Sequence, residues 1–259
     1  MTQPDDRYYI EALGRGLRIL EAFTEAETSL SLTEIAAAAG LVKSTAFRFA
    51  YTLEELGYLA RDPETKRYRP AIKVLRLGFT ALNSMGLRQI AQPHLKALSA
   101  RCGETTNMTT RDGAEVVYIA RNRTGQIVGI NLSVGSRLPA YCTSMGKAQL
   151  IDLAADELRD LLGEGPYPSR GPNTLTSPEA LVAELEKVRQ QGYAVNDEEL
   201  AAGLRSVAAP IRDCDGLIVA AINISVPSAR VSRQQLEQEL APMVRETAEE
   251  ICLALGARA

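Results

Sequence analysis

The chain contains 259 residues, of which 46% are hydrophobic and 24% are charged, and its net charge at pH 7 is -3. This length can form two domains with sizeable cores, and this balance of residues is typical of a water-soluble protein. No stretch approaches the ~20 apolar residues that a membrane span requires, and the acidic N-terminus lacks the pattern of a secretory signal. We therefore expect a cytoplasmic protein with no membrane partner.

The cysteines and the single histidine indicate neither a metal site nor a redox cofactor. Cys102, Cys142, Cys214 and Cys252 form no C-x-x-C pair, and the only histidine, His94, lies in a helical stretch beside a proline. A zinc site would need more ligands at closer spacing. We expect reduced thiols, no metal and no cofactor.

The N-terminal third predicts a DNA-binding helix pair. A helix over residues 10–24 would complete a three-helix core. Its inward stripe would be Leu13, Leu17, Leu20 and Phe23. Residues 31–69 then read as a helix, a glycine turn, a second helix and a charged hairpin, which is the order of a winged helix-turn-helix. Thr33 is the expected N-cap of the first of these helices, Gly40 ends it, and Ser44 lies at the start of the second.

The second helix of this pair divides into two faces at about 100° per residue. The inward stripe would be Ala46, Phe49, Ala50, Leu53 and Leu56. The outward ridge would be Ser44, Arg48, Tyr51 and Glu55, flanked by Thr45 and Thr52. Hydroxyls, an arginine and a tyrosine on one narrow ridge could enter a major groove and read base edges.

The predicted wing consists of two short strands, residues 58–61 and 66–69, around the turn 62–65. Residues 41–76 carry eight Lys or Arg against four Asp or Glu, a local excess of positive charge suited to phosphates. The residues predicted to contact double-stranded DNA are Lys43, Ser44, Thr45, Arg48, Tyr51, Thr52, Lys66 and Arg67. The alternative is a protein-docking element whose charged face is solvated.

A helix opened by Pro70 is predicted to link two domains. Its apolar stripe would be Ile72, Leu75, Phe79 and Leu82. A linker that also forms a dimer contact explains this apolar surface, and packing against its own domain explains it equally well. The predicted boundaries are residues 1–70 for the DNA-binding domain, 71–86 for the linker helix and 87–259 for the second domain.

The second domain is predicted to be α+β, an antiparallel sheet with flanking helices, because strands run together with helices grouped at the ends. The predicted helices are 87–102, 144–155, 178–191 and 233–255. The predicted strands are 105–110, 116–121, 126–133, 193–196, 206–212 and 217–226.

A candidate anion site lies in residues 135–148, GSRLPAYCTSMGKA. Thr143 and Ser144 would cap a helix whose first free N–H groups, with Arg137, could hold a small carboxylate. A plain N-cap beside a surface arginine is the alternative. In addition, polar and apolar residues alternate in the strand around Asn223 and Ser225, so these polar groups either pair within the core or line a ligand cavity.

Two competing functions remain open on the residues alone. Ser144 and Lys147 match the S-x-x-K motif of serine-lysine hydrolases, although neither an S-D-N nor a K-T-G element follows. A sensor or adaptor that does not bind DNA is the other alternative. The ridge and the wing favour a ligand-responsive transcription factor over a small-molecule hydrolase or any other enzyme.

Several segments together resemble one family, the IclR-type transcription factors. They are ALGRGLRILEAF, LTEIAAAAGLVKSTAFRFAYTLEELGYL, TSMGKA, LRSVAAPI and INISVP, in the family's order. Residues 131–146, NLSVGSRLPAYCTSMG, look most similar to the PcaR, PobR and PcaU branch, which controls aromatic-acid catabolism. The resemblance implies a winged helix domain, a GAF-like effector domain, and a homodimer or homotetramer on a palindromic operator.

The resemblance also assigns residue roles. Ser44, Thr45 and Arg48 match the family's recognition positions, and Ser144, Met145, Asn196, Ser206, Asn223 and Ser225 match positions that line its effector pocket. With Arg137 and Gly146 from the helix start, these six complete the predicted effector-binding set. Members often have an acid at 196, a cysteine at 206 and a serine at 223. The expected effector is protocatechuate, 4-hydroxybenzoate or β-ketoadipate.

Overall fold

The computed structural model describes residues 8–24, 27–84, 86–124 and 132–257, without the side chains of residue 79 and residues 81–84. The chain folds into two compact units, Met1–Ser84 and Met85–Ala259. No helix within the described ranges is long and apolar enough to cross a membrane.

The first unit consists of three helices, a β-hairpin and a fourth helix that follows the hairpin. Its elements are α1 (Glu11–Glu21), α2 (Leu32–Ala38), α3 (Lys43–Glu55), β1 (Leu59–Arg61), β2 (Tyr68–Pro70) and α4 (Lys73–Ser84). β1 and β2 pair antiparallel, and Leu30 forms a further bridge to Tyr68. The core of this unit contains Ile19, Leu30, Ile35, Ala39, Ala50, Leu59 and Tyr68. The predicted winged arrangement is therefore confirmed.

The N-cap of α2 is Ser31, so the prediction of Thr33 was wrong. Glu34 donates its backbone N–H to Ser31 Oγ at 3.3 Å, and its carboxylate accepts the N–H of Ser31 at 2.7 Å. This reciprocal pair is a capping box, which satisfies two groups at once and therefore outcompetes a single hydroxyl two residues later. Gly40 ends α2 as predicted, at a φ of 64° that favours glycine.

The inward face of α1 also differs from the prediction. Leu13 and Leu17 are 63% and 50% exposed, whereas Ile19 is fully buried. Leu20 of α1 and Phe23, which follows it, pack against the core as predicted, so the inward face contains Ile19, Leu20 and Phe23 and leaves out Leu13 and Leu17.

The second unit is a six-stranded antiparallel sheet covered by helices. Its elements are α5 (Gly86–Cys102), β3 (Thr105–Asp112), β4 (Glu115–Asn122), β5 (Arg137–Pro139), a 3-10 turn (Ala140–Cys142), α6 (Ser144–Leu150), α7 (Ala155–Leu162), α8 (Pro178–Gln191), β6 (Ala194–Asp197), β7 (Leu204–Arg212), β8 (Ile218–Pro227), α9 (Arg233–Gln235), a π-helical turn (Leu236–Leu240) and α10 (Ala241–Ala254). The strand order is β5-β4-β3-β8-β7-β6. The α+β prediction is confirmed.

Two predicted elements of this unit need correction or lie outside the described residues. The helix predicted over 144–155 ends at Leu150, and α7, which follows it, was not predicted. The predicted strand 126–133 falls mostly on residues outside the described ranges. α6 and α8 contribute to a core on one face of the sheet, and α5 and α10 pack against its strands and against each other.

A β-bulge in β4 decides which side chains share the face covered by α6. Tyr118 pairs with Thr109, but the next pair is Ala120 with Met108, so β4 contains one extra residue. After the bulge, Arg121 pairs with Asn107. Because a bulge reverses the alternation of side chains, Arg121 lies on the same face as Tyr118.

Candidate DNA interface and effector pocket

The outward ridge of α3 is exposed, as its periodicity predicts. Ala46 and Ala50 are fully buried on the opposite side, but Leu56, predicted on the same inward stripe, lies at the C-cap and is 52% exposed. Lys43, Ser44, Arg48, Tyr51 and Thr52 are exposed, and Thr45 is half-buried. Thr52 donates its hydroxyl to the carbonyl of Arg48 at 2.8 Å, so it is partly engaged within the helix. Contact of this ridge with bases stays a prediction.

The two wing residues of the predicted interface differ in their surroundings. Lys66 is exposed at the tip, and its ammonium donates to the carbonyl of Pro63 at 2.6 Å. Arg67 donates to the carbonyl of Ser29 at 2.6 Å and to Glu34 at 2.9 Å. Arg67 therefore fastens the wing to the capping box of α2. The next arginine, Arg69, was missed by the sequence prediction and is exposed.

The second unit contains a pocket between α6 and the sheet. Its lining is Asn107, Tyr118, Arg121, Leu132, Thr143, Ser144, Met145, Asn196, Leu200, Leu204, Ser206, Asn223 and Ser225. Six of the eight predicted effector residues are in this set, and Arg137 and Gly146 are not. The cavity volume is about 30 Å³, which is room for a water molecule and little more.

Polar side chains from five elements meet in the pocket. Ser144 of α6 and Ser206 of β7 share a hydrogen bond of 2.7 Å. Asn107 of β3 donates to Asn223 Oδ1 at 2.8 Å and to Ser225 Oγ at 3.3 Å, both on β8. A further polar group comes from β6, where Asn196 accepts the N–H of a loop residue. Asn223 and Ser225 of β8 therefore pair with a neighbouring strand and also line a cavity. The two alternatives drawn from the sequence, pairing within the core and lining a cavity, are both true of these residues.

Arg137 does not reach the pocket, so its predicted place beside the helix start was wrong. It lies in the edge strand β5, where its guanidinium contacts Glu115 at 2.7 Å and Asp112 at 2.8 Å. These two carboxylates raise the pKa of Arg137. Because β5 pairs with β4 at the rim of the sheet, the side chain projects to the surface, where it is 44% exposed.

Gly146 has a packing role instead of a binding role. Its N–H donates to Thr143 Oγ1 at 3.1 Å, so Thr143 is the N-cap of α6 and uses this donor. A Cβ at position 146 would lie 2.2 Å from the carbonyl oxygen of Ala140. Glycine is therefore needed for α6 to pack on the 3-10 turn before it.

Arg121 is a charged pocket residue that the sequence prediction missed. Its Nη1 donates to the carbonyl of Leu132 at 2.7 Å, while its Nε is buried and has no hydrogen-bond partner among the described residues. Burial, followed by the nearby Arg123, lowers the pKa of Arg121. No acidic side chain in the described part of the chain pairs with it. Only the bulge in β4 turns this side chain inward, and no signal in the sequence marks that bulge.

Lys147 forms a buried ion pair beneath the pocket. Its side chain is fully buried, and its Nζ lies 2.5 Å from Glu199 and 3.6 Å from Glu184. Burial raises the pKa of Glu199, and the ammonium opposes that rise. Since Lys147 is bound to Glu199 and Ser144 to Ser206, the S-x-x-K match has neither a free base nor a directed nucleophile.

A winged helix-turn-helix followed by a sheet domain with an enclosed polar pocket defines a DNA-binding regulator that responds to a ligand. The IclR helix-turn-helix domain matches residues 12–63, and the bacterial transcriptional regulator IclR C-terminal domain matches residues 79–253. The chain belongs to the IclR family of transcriptional regulators. It is a regulator and not an enzyme, which removes the hydrolase alternative.

Two similar proteins are also transcriptional regulators. The Pca regulon regulatory protein of Pseudomonas putida is 39% identical over 95% of this chain and 84% of its own. The regulator XynR of Escherichia coli K12 is 37% identical over 88% of this chain and 94% of its own.

Solved structures share the fold. A transcriptional regulator from Rhodococcus sp. RHA1 has a TM-score of 0.82 and 41% identity, covering 95% of this chain and 98% of its own. An IclR homologue from Microbacterium hydrocarbonoxydans, complexed with 4-hydroxybenzoate, has a TM-score of 0.81 and 27% identity, covering 94% of this chain and 98% of its own.

Proposed function

We propose that this regulator controls genes of aromatic-acid catabolism and senses a small carboxylic acid in the pocket beneath α6. The observation that carries the proposal is Arg121, the only charged side chain among the described lining residues. A half-buried guanidinium with no carboxylate partner among the described residues is stabilised by a bound anion, and its fork matches a carboxylate. The Pca regulon relative and the 4-hydroxybenzoate complex support an aromatic acid.

The remaining polar lining would hold the rest of the effector. Ser144, Asn196, Ser206, Asn223 and Ser225 offer hydroxyl and amide groups to its polar substituents. An effector that bonds these groups better in one arrangement of the protein than in another shifts the protein between the two, which is what a ligand-dependent change in DNA binding requires.

Calorimetry tests this function directly. Wild-type protein titrated with protocatechuate, 4-hydroxybenzoate and β-ketoadipate should release heat with at least one acid. Arg121→Met should weaken that binding about 10- to 100-fold, the worth of a charged hydrogen bond. Arg137→Met is the matched control, because this exposed arginine lies outside the pocket, and it should bind as the wild type does. No heat with any of the acids would contradict the proposal.

The operator is expected to be read by Arg48. Replacing Arg48 with alanine should weaken binding to the specific operator by about 1 to 3 kcal/mol, because a bidentate contact to guanine is worth that much. Binding to random DNA should fall less. Gel shifts on both DNAs measure the two losses, and equal losses would show that Arg48 touches only phosphate.

A homodimer or homotetramer on a palindromic operator is also expected. One recognition helix covers half a site, and apolar side chains before and within α4 are exposed, with Ile72 at 83%, Leu75 at 53% and Leu77 at 58%. The predicted stripe members Phe79 and Leu82 lie outside the described side chains. Light scattering at micromolar concentration should report an oligomer, and Leu75→Glu with Leu77→Glu should dissociate it. A wild-type monomer that binds DNA normally would refute this expectation.

A further inference from the structure

Asn107 is a pocket residue that neither the sequence prediction nor the family resemblance includes. It lies near the middle of β3, is 2% exposed, and faces Arg121 on one neighbouring strand and Asn223 on the other. A buried amide in this place needs partners for both its nitrogen and its oxygen.

Only half of this amide is satisfied by the protein. The nitrogen of Asn107 donates to Asn223 and Ser225, both on the β8 side. With the nitrogen bonded to Asn223 and Ser225, the oxygen of the same amide points away from these two acceptors. That oxygen is buried and receives no hydrogen bond from any described residue.

A second buried atom near the oxygen of Asn107 also lacks a hydrogen-bond partner among the described residues. The two are complementary, because the oxygen accepts a hydrogen bond and the second atom donates one. Arg121 is opposite Asn107 across β3 and β4, and its Nε is a buried donor with no acceptor in the described part of the chain. Cross-strand partners in an antiparallel pair have Cβ atoms only about 4.5–5.5 Å apart. One ligand can therefore reach both atoms if it presents an acceptor to Arg121 and a donor to Asn107.

We infer that the effector is a hydroxylated acid whose hydroxyl donates to the amide oxygen of Asn107. This inference rests on the proposed function and narrows it. Among the candidate effectors, 4-hydroxybenzoate and protocatechuate carry such a donor. β-Ketoadipate carries two carboxylates and a ketone, which only accept, so it would leave the oxygen of Asn107 unpaired. The pocket selects hydroxyaromatic acids against keto-dicarboxylates.

The test compares wild-type binding of acids that differ only in their donor. 4-Hydroxybenzoate and 4-aminobenzoate should bind at least about tenfold more tightly than benzoate and 4-fluorobenzoate, because a site built to bond a hydroxyl rejects analogues that lack it. The fluoro compound controls for the volume of the substituent. Equal affinities across the four acids, or tighter binding of β-ketoadipate, would overturn the inference while leaving the proposed function intact.

A variant separates recognition from structure. In Asn107→Ala, the preference for 4-hydroxybenzoate over 4-fluorobenzoate should fall to about onefold, as expected for a site that no longer bonds the hydroxyl. Asn122→Ala, which removes an amide from the other face of the sheet, where it bonds Gln92 of α5, is the control and should keep the preference. A purely structural Asn107 would weaken both acids equally and keep the ratio, which would refute the inference. If the variant does not fold, the wild-type series alone decides.

Discussion

Replacing Lys147 with methionine is expected to lower the free energy of unfolding by about 3 to 5 kcal/mol, the cost of leaving one partner of a buried ion pair behind. The Lys147 ammonium is fully buried against Glu199, with Glu184 as a second, more distant carboxylate. The ammonium donates to Glu199 Oε1, and Glu199 Oε2 is buried with no hydrogen-bond partner among the described residues, so the ammonium is the main compensation for this carboxylate. Urea unfolding of both proteins measures the difference.

The same variant should show a distinct dependence on pH. Burial already raises the pKa of Glu199 above its ordinary value of 4.5, and loss of the ammonium removes the interaction that opposes the rise. A carboxyl that binds its proton more tightly when folded stabilises the fold at low pH and loses that stabilisation as pH rises through its folded pKa. The loss in free energy of unfolding caused by Lys147→Met should therefore be smaller near pH ~5 than near pH ~8.

Lys187 supplies the control for this prediction. It also pairs with Glu184, at 3.6 Å, but its side chain is 70% exposed. Surface ion pairs contribute little, so Lys187→Met should change stability by no more than about 0.5 kcal/mol. Equal losses in the two variants would show that the burial of Lys147 does not determine how much its ion pair contributes to the free energy of unfolding.

Asn223→Leu is expected to abolish the response to effector while leaving operator binding intact. The substitution removes the acceptor of the Asn107 amide and places a bulky apolar group in the pocket. Effector-linked changes in operator affinity are typically about 5- to 150-fold, and the variant should show no change. Gel shifts with and without 4-hydroxybenzoate measure this.

Asn122→Leu is the matched control for Asn223→Leu. Asn122 is on β4 but faces the other side of the sheet, where it accepts a hydrogen bond from Gln92 of α5 at 3.0 Å. This variant carries the same chemical change outside the pocket and should respond as the wild type does. A wild-type response from Asn223→Leu would mean that the effector binds elsewhere.

The sequence predicted the first unit well because its signals are local. The glycine at 40 needs a left-handed backbone, and the apolar spacing of α3 selects its buried face. The sequence also contains the signal of the capping box, because Ser31 and Glu34 have its three-residue spacing. The prediction of Thr33 as the N-cap of α2 did not take this spacing into account. In and just after α1, the apolar spacing placed Leu20 and Phe23 correctly but not Leu13 and Leu17, because apolar residues cover more than one side of this helix and packing selects among them.

In the second unit, strand alternation predicted the pocket residues of β8, but not the position of the arginine. Arg137 stands near a glycine turn and a helix start in the sequence, yet strand pairing carries it to the rim. Arg121 enters the pocket because one extra residue in β4 reverses the alternation. Register and bulges depend on pairing between distant segments, and no local pattern records them.

Because side chains alternate between the two faces along β8, residues with two different roles are interleaved in one short segment of the sequence. Asn223 and Ser225 face the pocket, whereas Ile222 and Ile224 are fully buried on the opposite face of the sheet. Under the proposed function, we expect substitutions at Asn223 and Ser225 to change ligand choice and substitutions at Ile222 and Ile224 to change folding. Ligand choice should then diverge between related chains at every second residue of this strand.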